Sequence, residues 1–191
     1  GGYLVVAADT NVFKAKYPGV NNVVGNWTGF LNNSGEDIDL HDAQGNRADS
    51  VRYADEGDWA VRQRGPLDLN HRGWIWFKEH DGLGKSIELI NPNLSNNDGQ
   101  NWGASRTPQG TPGSVNSVFT NNLAPMILGV SHFPVGPKST EQVQVSARMV
   151  DETLSGLTVT LNSRADAPAP PAFTTAPMRD DGTGGDAAAG D

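Results

Sequence analysis

Residues 33–53 write a complete β-hairpin: Asn33-Ser34-Gly35-Glu36-Asp37-Ile38-Asp39-Leu40-His41-Asp42-Ala43-Gln44-Gly45-Asn46-Arg47-Ala48-Asp49-Ser50-Val51-Arg52-Tyr53. Both arms alternate polar and apolar residues. Ile38 and Leu40 share a face with Glu36, and Val51 and Tyr53 share a face of the second arm. Asp42 to Asn46 supplies the Asp, Gly and Asn that tight turns use. The rest of the chain keeps this pattern, closing short strands with Gly, Pro and Asn. With 23 Gly, 12 Pro and only 36% hydrophobic residues, the composition predicts an all-β class built of short strands and many turns. At 191 residues, one large domain or two small ones have room for a core.

Along the chain, Tyr3 to Ala7 reads as a short strand. Asp9 or Thr10 then caps the one helix that the pattern predicts, through Asn11-Val12-Phe13-Lys14-Ala15-Lys16, before Tyr17-Pro18-Gly19 stops it. Val23, Val24 and Trp27 to Leu31 read as edge or loop segments. Arg62 to Gly84 reads as a long aromatic-bearing connection, and loops of that length are often functional. Ser86 to Ile90 is a strand, ended by Asn91-Pro92. An Asn-rich loop leads to Trp102, and Gly110-Thr111-Pro112-Gly113 closes a first domain, residues 1–119. Residues 120–125 resemble a linker, and residues 126–191 begin a second strand set. In that set Val143, Val145, Ala147 and Met149 alternate with Gln142, Gln144, Ser146 and Arg148, and Leu157, Val159 and Leu161 repeat the device. The opening residues lack an initiator Met and enter a strand almost at once, so further sequence is expected upstream.

Acidic residues outnumber basic ones by 22 to 14, a formal charge of −8, which argues against a nucleic-acid partner. Arg62, Arg64, Arg72, Lys78 and Lys85 form a mild basic excess that Asp68, Glu79 and Asp81 interrupt, and this reads as a solvated face. There is no cysteine, so disulfides, thiolate metal sites and cysteine nucleophiles are excluded. No span of about 20 apolar residues suggests a membrane crossing.

The chemistry-bearing residues are sparse. His71 and His80 share the long connection with Asp68 and Asp81, where a metal or hydrolytic site could assemble, but no metal-ligand spacing joins them and surface hydrogen bonding is the plainer reading. Gly82-Leu83-Gly84-Lys85-Ser86 superficially matches part of a phosphate loop, yet it lacks the first Gly at the required distance and precedes a strand instead of a helix. Trp74 and Trp76 alternate with Ile75 and offer flat rings for a sugar or an extended peptide, whereas Trp59 and Trp102 read as core. Asp180, Asp181 and Asp186 lie on a Gly-rich tail that reads as a solvated turn, with a weak calcium site as the alternative. No catalytic residue and no other cofactor is assigned.

Asn33-Ser34-Gly35-Glu36, the Ile38/Leu40 strand, Asp42-Ala43-Gln44-Gly45-Asn46, Asp49-Ser50-Val51-Arg52-Tyr53, Ser86-Ile87-Glu88-Leu89-Ile90-Asn91-Pro92, Trp102 and Gly110-Thr111-Pro112-Gly113 together resemble, in order and spacing, the bacterial lamin tail domain. The resemblance spans roughly Gly1 to Ser117. It implies an immunoglobulin-like β-sandwich that is incomplete at the N-terminus. Residues 126–191 resemble the opening strands of an immunoglobulin-like or fibronectin-like module, cut at the C-terminus. In that setting the expected role is a non-catalytic tether, spacer or adhesion module of a large exported bacterial protein, secreted or in the cell envelope. Its expected partners are proteins, cell-surface polysaccharide and neighbouring domains of the same polypeptide. The alternative is a carbohydrate-binding accessory domain that uses Trp74 and Trp76, with His71 and His80 nearby. An enzyme built on His71, His80 and Asp81 is the reading least supported by spacing.

Overall fold

The computed structural model describes residues 2–67, 72–165 and 167–190. The chain divides into two units, Gly1–Gln63 with Trp74–Leu123, and Arg64–Gly73 with Ala124–Asp191. Strand dominates over helix in both. Among the described residues the strands pair two by two into small sheets, all antiparallel except the first where a register is defined.

The first unit opens with β1 (Val5–Ala7), α1 (Thr10–Lys16) and β2 (Val23–Gly25). Asp9 Oδ1 accepts from the amides of Asn11 and Val12 at 2.8 and 2.9 Å, which satisfies two of the donors that a helix start leaves open. Tyr17 ends the helix by donating its amide to Phe13 O, and its ring lies 4.8 Å from that of Phe13. The segment holding Val23 and Val24, expected as edge or loop, is an edge strand that pairs in parallel with β1. The crossing is close: at Gly25 (φ 149°) a Cβ would fall 1.8 Å from Ala7 O, so only glycine fits.

β3 (Gly35–His41) and β4 (Arg47–Ala54) form the expected hairpin, with Ile38 opposite Val51 and Glu36 opposite Tyr53. Asp42 organises the turn through hydrogen bonds from the amides of Gln44 and Asn46, and Gly45 takes φ 83°. On the other face Arg52 Nε meets Asp37 at 2.8 Å, an exposed pair worth about 0–1 kcal/mol.

The connection from Arg62 to Gly84 differs from expectation. It contains strand: β5 (Val61–Arg64) pairs with β6 (Trp74–Phe77). A one-turn 3-10 helix, Gly57–Trp59, precedes β5.

The best-buried part of the first unit is polar. β7 (Ile87–Leu89) pairs with β8 (Trp102–Ala104), and a second 3-10 turn, Gly99–Asn101, runs into β8. Asn91 and Asn101 are both fully buried and bonded reciprocally: Asn101 Oδ1 accepts the Asn91 amide at 2.9 Å, while Asn101 Nδ2 donates to Asn91 O at 2.8 Å and to Ser95 O at 3.0 Å. Trp102 Nε1 donates to Asn96 O, and its ring packs 5.5 Å from that of Trp59. Both of these tryptophans are partly buried, in keeping with their packing role. Gly99 sits so close to Trp59 that a Cβ there would lie 2.7 Å from its ring and backbone.

In the second unit β9 (Met126–Phe133) pairs with β10 (Gln144–Val150), burying Met126 and Leu128. The expected alternation holds at Val145 and Ala147, which are partly buried between exposed neighbours, and ends at Met149, which is partly buried together with Val150; Val143 lies outside the strand and is exposed. The ladder slips between Ser146 and Arg148, where Gly129 on the opposing strand takes φ 58°, the geometry of a glycine bulge. β11 (Thr160–Ser163) pairs with β12 (Thr174–Pro177). Leu157 and Val159 precede β11 instead of lying in it, because a turn from Leu154 O to the Leu157 amide holds the chain at Gly156.

Candidate functional site

The β5–β6 ribbon is exposed along its whole described length. Successive side chains of a strand point to opposite faces, so Trp74 and Trp76 share one face of β6 and Ile75 and Phe77 the other. Trp74 is 55% and Trp76 41% exposed, far from the burial expected of core tryptophan. Arg62 on β5 orders the pair, its guanidinium carbon 5.5 Å from the Trp74 ring centroid and 5.8 Å from that of Trp76. Arg62 is in turn held by Asp58 of the preceding 3-10 turn at 3.3 Å. The result is a shaped surface of two indoles, a planar donor between them and a carboxylate behind.

The Asp58/Arg62 pair escaped sequence reasoning, although an acid four residues before a base was a visible signal.

Just past the ribbon, Lys78 Nζ gathers three carboxylates: Asp81 at 3.1 Å, Asp55 at 3.3 Å and Glu56 at 3.6 Å. The bonds to Asp81 and Asp55 hold the Lys78 ammonium above its ordinary pKa. Lys85 pairs with Glu79. His80 lies in this turn, half-buried, with Nε2 enclosed and without a hydrogen-bond partner. Burial pushes its imidazole below the ordinary pKa and Lys78 acts in the same direction, while Asp81 and Asp55 oppose them. His71 and Asp68, the other members of the site considered from sequence, lie outside the described residues. The carboxylates around His80 are therefore spent on a lysine.

The other histidines tie turns: the His41 ring contacts Gly45 O at 3.1 Å and the His132 ring Pro134 O at 3.2 Å. Lys85 and Ser86 lead into β7, so no helix follows Gly82 and Gly84 to receive a phosphate.

The three aspartates of the tail are not brought together. Asp180 accepts from the Gly190 amide, Asp186 from the Gly182 amide, and Asp181 from the amide and hydroxyl of Thr183. The Thr183 hydroxyl is the main cause that holds Asp181 below its ordinary pKa. Each carboxylate accepts from the backbone of its own loop. Among the described residues no group of three or more His, Cys, Asp or Glu is placed to hold a metal ion. No helix among them is long and apolar enough to cross a membrane.

A shallow groove of about 230 Å³ in the first unit is lined by Tyr3, Leu89, Pro92, Val115, Asn116 and Phe119. Its lining is mostly apolar and carries no reactive pair.

No protein family, curated protein or solved structure matches the chain.

Proposed function

We propose that the chain is a non-catalytic recognition module of an exported bacterial protein, acting as a tether, spacer or adhesion surface, and that the β5–β6 ribbon is its contact face. The observation that carries this reading is the ribbon itself: two four-residue arms, every position exposed, with two tryptophans on one face of β6 and Ile75 and Phe77 on the other. Exposed contiguous apolar surface of this kind marks an interaction site, and tryptophan and arginine are the side chains that carry most contact energy in interfaces. His41 and His132, by contrast, contact the backbone of their own turns, and Asp55 and Asp81 pair with Lys78.

The proposal includes the fold expected from sequence, a lamin-tail-like, immunoglobulin-like sandwich followed by a second immunoglobulin-like module. The strand-dominated composition and the β3–β4 hairpin support it. So does the exposure of Ile38 and Leu40, whose hairpin face a second layer would cover. Two-stranded ribbons are marginal alone and gain stability from such layers.

A second reading, polysaccharide binding, is favoured by the Trp74 and Trp76 pair, because indole faces stack on sugar rings while Arg62 and Asp58 offer a donor and an acceptor to hydroxyl groups.

The test is binding of purified protein to cell-envelope preparations and to a panel of insoluble polysaccharides, with Trp74→Ala/Trp76→Ala as control. Binding that the double substitution abolishes supports the contact-face reading. Equal binding by wild type and variant overturns it. Turnover of ester, glycoside or phosphodiester substrates that His80→Ala abolishes would overturn the non-catalytic assignment.

A further inference from the structure

We propose that the loop of residues 95–98 is an edge guard: the Asn97 carboxamide occupies the outer edge of β4 in the place of a third strand and keeps the β3–β4 hairpin from adding a strand of another molecule.

Among the described residues β3 and β4 pair only with each other, so neither outer edge of the hairpin has a strand beside it. An uncovered strand edge is a row of amides and carbonyls that takes up extended segments. β3 carries Glu36, Asp37 and Asp39, and acids along an edge work against pairing there. β4 carries Val51 and Tyr53, residues that favour strand, and its edge is covered in another way.

Residues of an antiparallel pair alternate between those bonded across the ladder and those whose amide and carbonyl point away from it. Ser50 and Arg52, opposite Asp39 and Asp37, point away. Asn97 Oδ1 accepts the Arg52 amide at 2.9 Å, and Asn97 Nδ2 donates to Ser50 O at 3.0 Å. One carboxamide thus makes the two bonds that a peptide of a neighbouring strand would make. The Ser50 amide is taken by Asp49 Oδ1 at 2.8 Å, and Asn96 Nδ2 donates to that same oxygen at 2.9 Å. The Ser50 amide, the Ser50 carbonyl and the Arg52 amide follow one another along the edge, and side chains fill all three.

The guard is held in place from its own side. Trp102 Nε1 donates to Asn96 O at 2.8 Å, Asn101 Nδ2 to Ser95 O at 3.0 Å, and the Asn97 amide to Ser95 Oγ at 3.2 Å. Gly99 then runs against Trp59, where no Cβ fits. The buried Asn91/Asn101 cluster therefore positions the carboxamide before β4 meets it, which lowers the cost of ordering the loop on that edge.

Backbone amide hydrogen exchange of the full chain, read residue by residue by NMR, tests the proposal. In the wild type the Arg52 amide is expected to be protected although it faces away from β3. Asn97→Ala is expected to speed its exchange at least about tenfold, while the Val51 and Tyr53 amides, which face β3, keep their protection. Asn97→Asp retains the acceptor for Arg52 and loses the donor to Ser50, so the Arg52 amide is expected to stay protected. In sedimentation, Asn97→Ala is expected to self-associate at least about tenfold more readily than the wild type. Adding Arg52→Pro, which leaves no outward amide at that position, is expected to return the chain to wild-type behaviour. Association caused by unfolding would not be relieved in this way. An Arg52 amide that exchanges freely in the wild type, an exchange rate unchanged by Asn97→Ala, an Asn97→Ala chain no more prone to associate than the wild type, or association that Arg52→Pro leaves in place would each overturn the proposal.

Discussion

Glu88 Oε2 accepts hydrogen bonds from both the amide and the hydroxyl of Ser117, each at 2.7 Å, while Oε1 accepts from the Thr111 hydroxyl at 2.8 Å. The carboxylate is 5% exposed and ties β7 to the segment that closes the first unit. Burial alone would raise its pKa. The hydrogen bonds from Ser117 and Thr111 outweigh burial and hold it below the ordinary glutamate value. A carboxyl depressed in the fold contributes stability above its unfolded pKa and loses it as pH falls through the folded value.

Glu88→Gln places an amide donor against the Ser117 amide and is expected to cost about 1–3 kcal/mol. Urea unfolding at neutral pH measures it. Repeating the titration through the carboxylate range should show the gap between wild type and variant narrowing as the wild-type carboxyl protonates.

Asn101→Ala removes the side-chain acceptor of the Asn91 amide and one donor to the Asn91 carbonyl, which keeps the Leu94 amide, in a site with no solvent access. The expected loss is about 2–3 kcal/mol, the penalty for stranded buried polar groups. Chemical denaturation with tryptophan fluorescence as the probe reads it through Trp102, the next residue in the chain. A loss under 0.5 kcal/mol would show that the polar cluster is replaceable by water.

These two sites show where the sequence was legible and where it was not. The β3–β4 hairpin could be read because each of its determinants, the Ile38/Leu40 alternation and the Asp42 to Asn46 turn, is local. The same holds for α1, whose cap at Asp9 lies two residues from its first acceptor contact. The Asn91/Asn101 pair left no periodic trace, because reciprocal amide bonding depends on the loop between them folding back. β5 escaped notice because Arg62-Gln63-Arg64 is polar on both faces and offers no alternation to read. The spacing of Trp74 and Trp76 marks a stacking pair, whereas the guanidinium beside them is placed by the pairing of β5 with β6, which no local pattern encodes. At the tail aspartates, composition alone does not show which loop amides each carboxylate accepts from.

His80 is expected to make the first unit sensitive to mild acid. Its folded pKa lies below the ordinary imidazole value, chiefly through burial, and Lys78 stands beside it while Asp81 and Asp55 pull the other way. As pH falls, the unfolded chain therefore takes up this proton before the folded one, and stability drops between the ordinary imidazole value and the lower folded one. Proton NMR should show His80 titrating below the ordinary imidazole value. His80→Gln should flatten the pH dependence of the unfolding midpoint in that window.

The account stands on the claim that Trp74 and Trp76 face solvent as a binding surface while Trp102 packs on Trp59 and bonds to Asn96 within the first unit. The most direct measurement is the unfolding free energy and the binding of Trp74→Ala/Trp76→Ala beside Trp102→Ala. The predicted result is a double variant within about 0.5 kcal/mol of wild-type stability that has lost its partner, and a Trp102→Ala variant destabilised by about 3–5 kcal/mol. A double variant that unfolds, or one that keeps full binding, would contradict it.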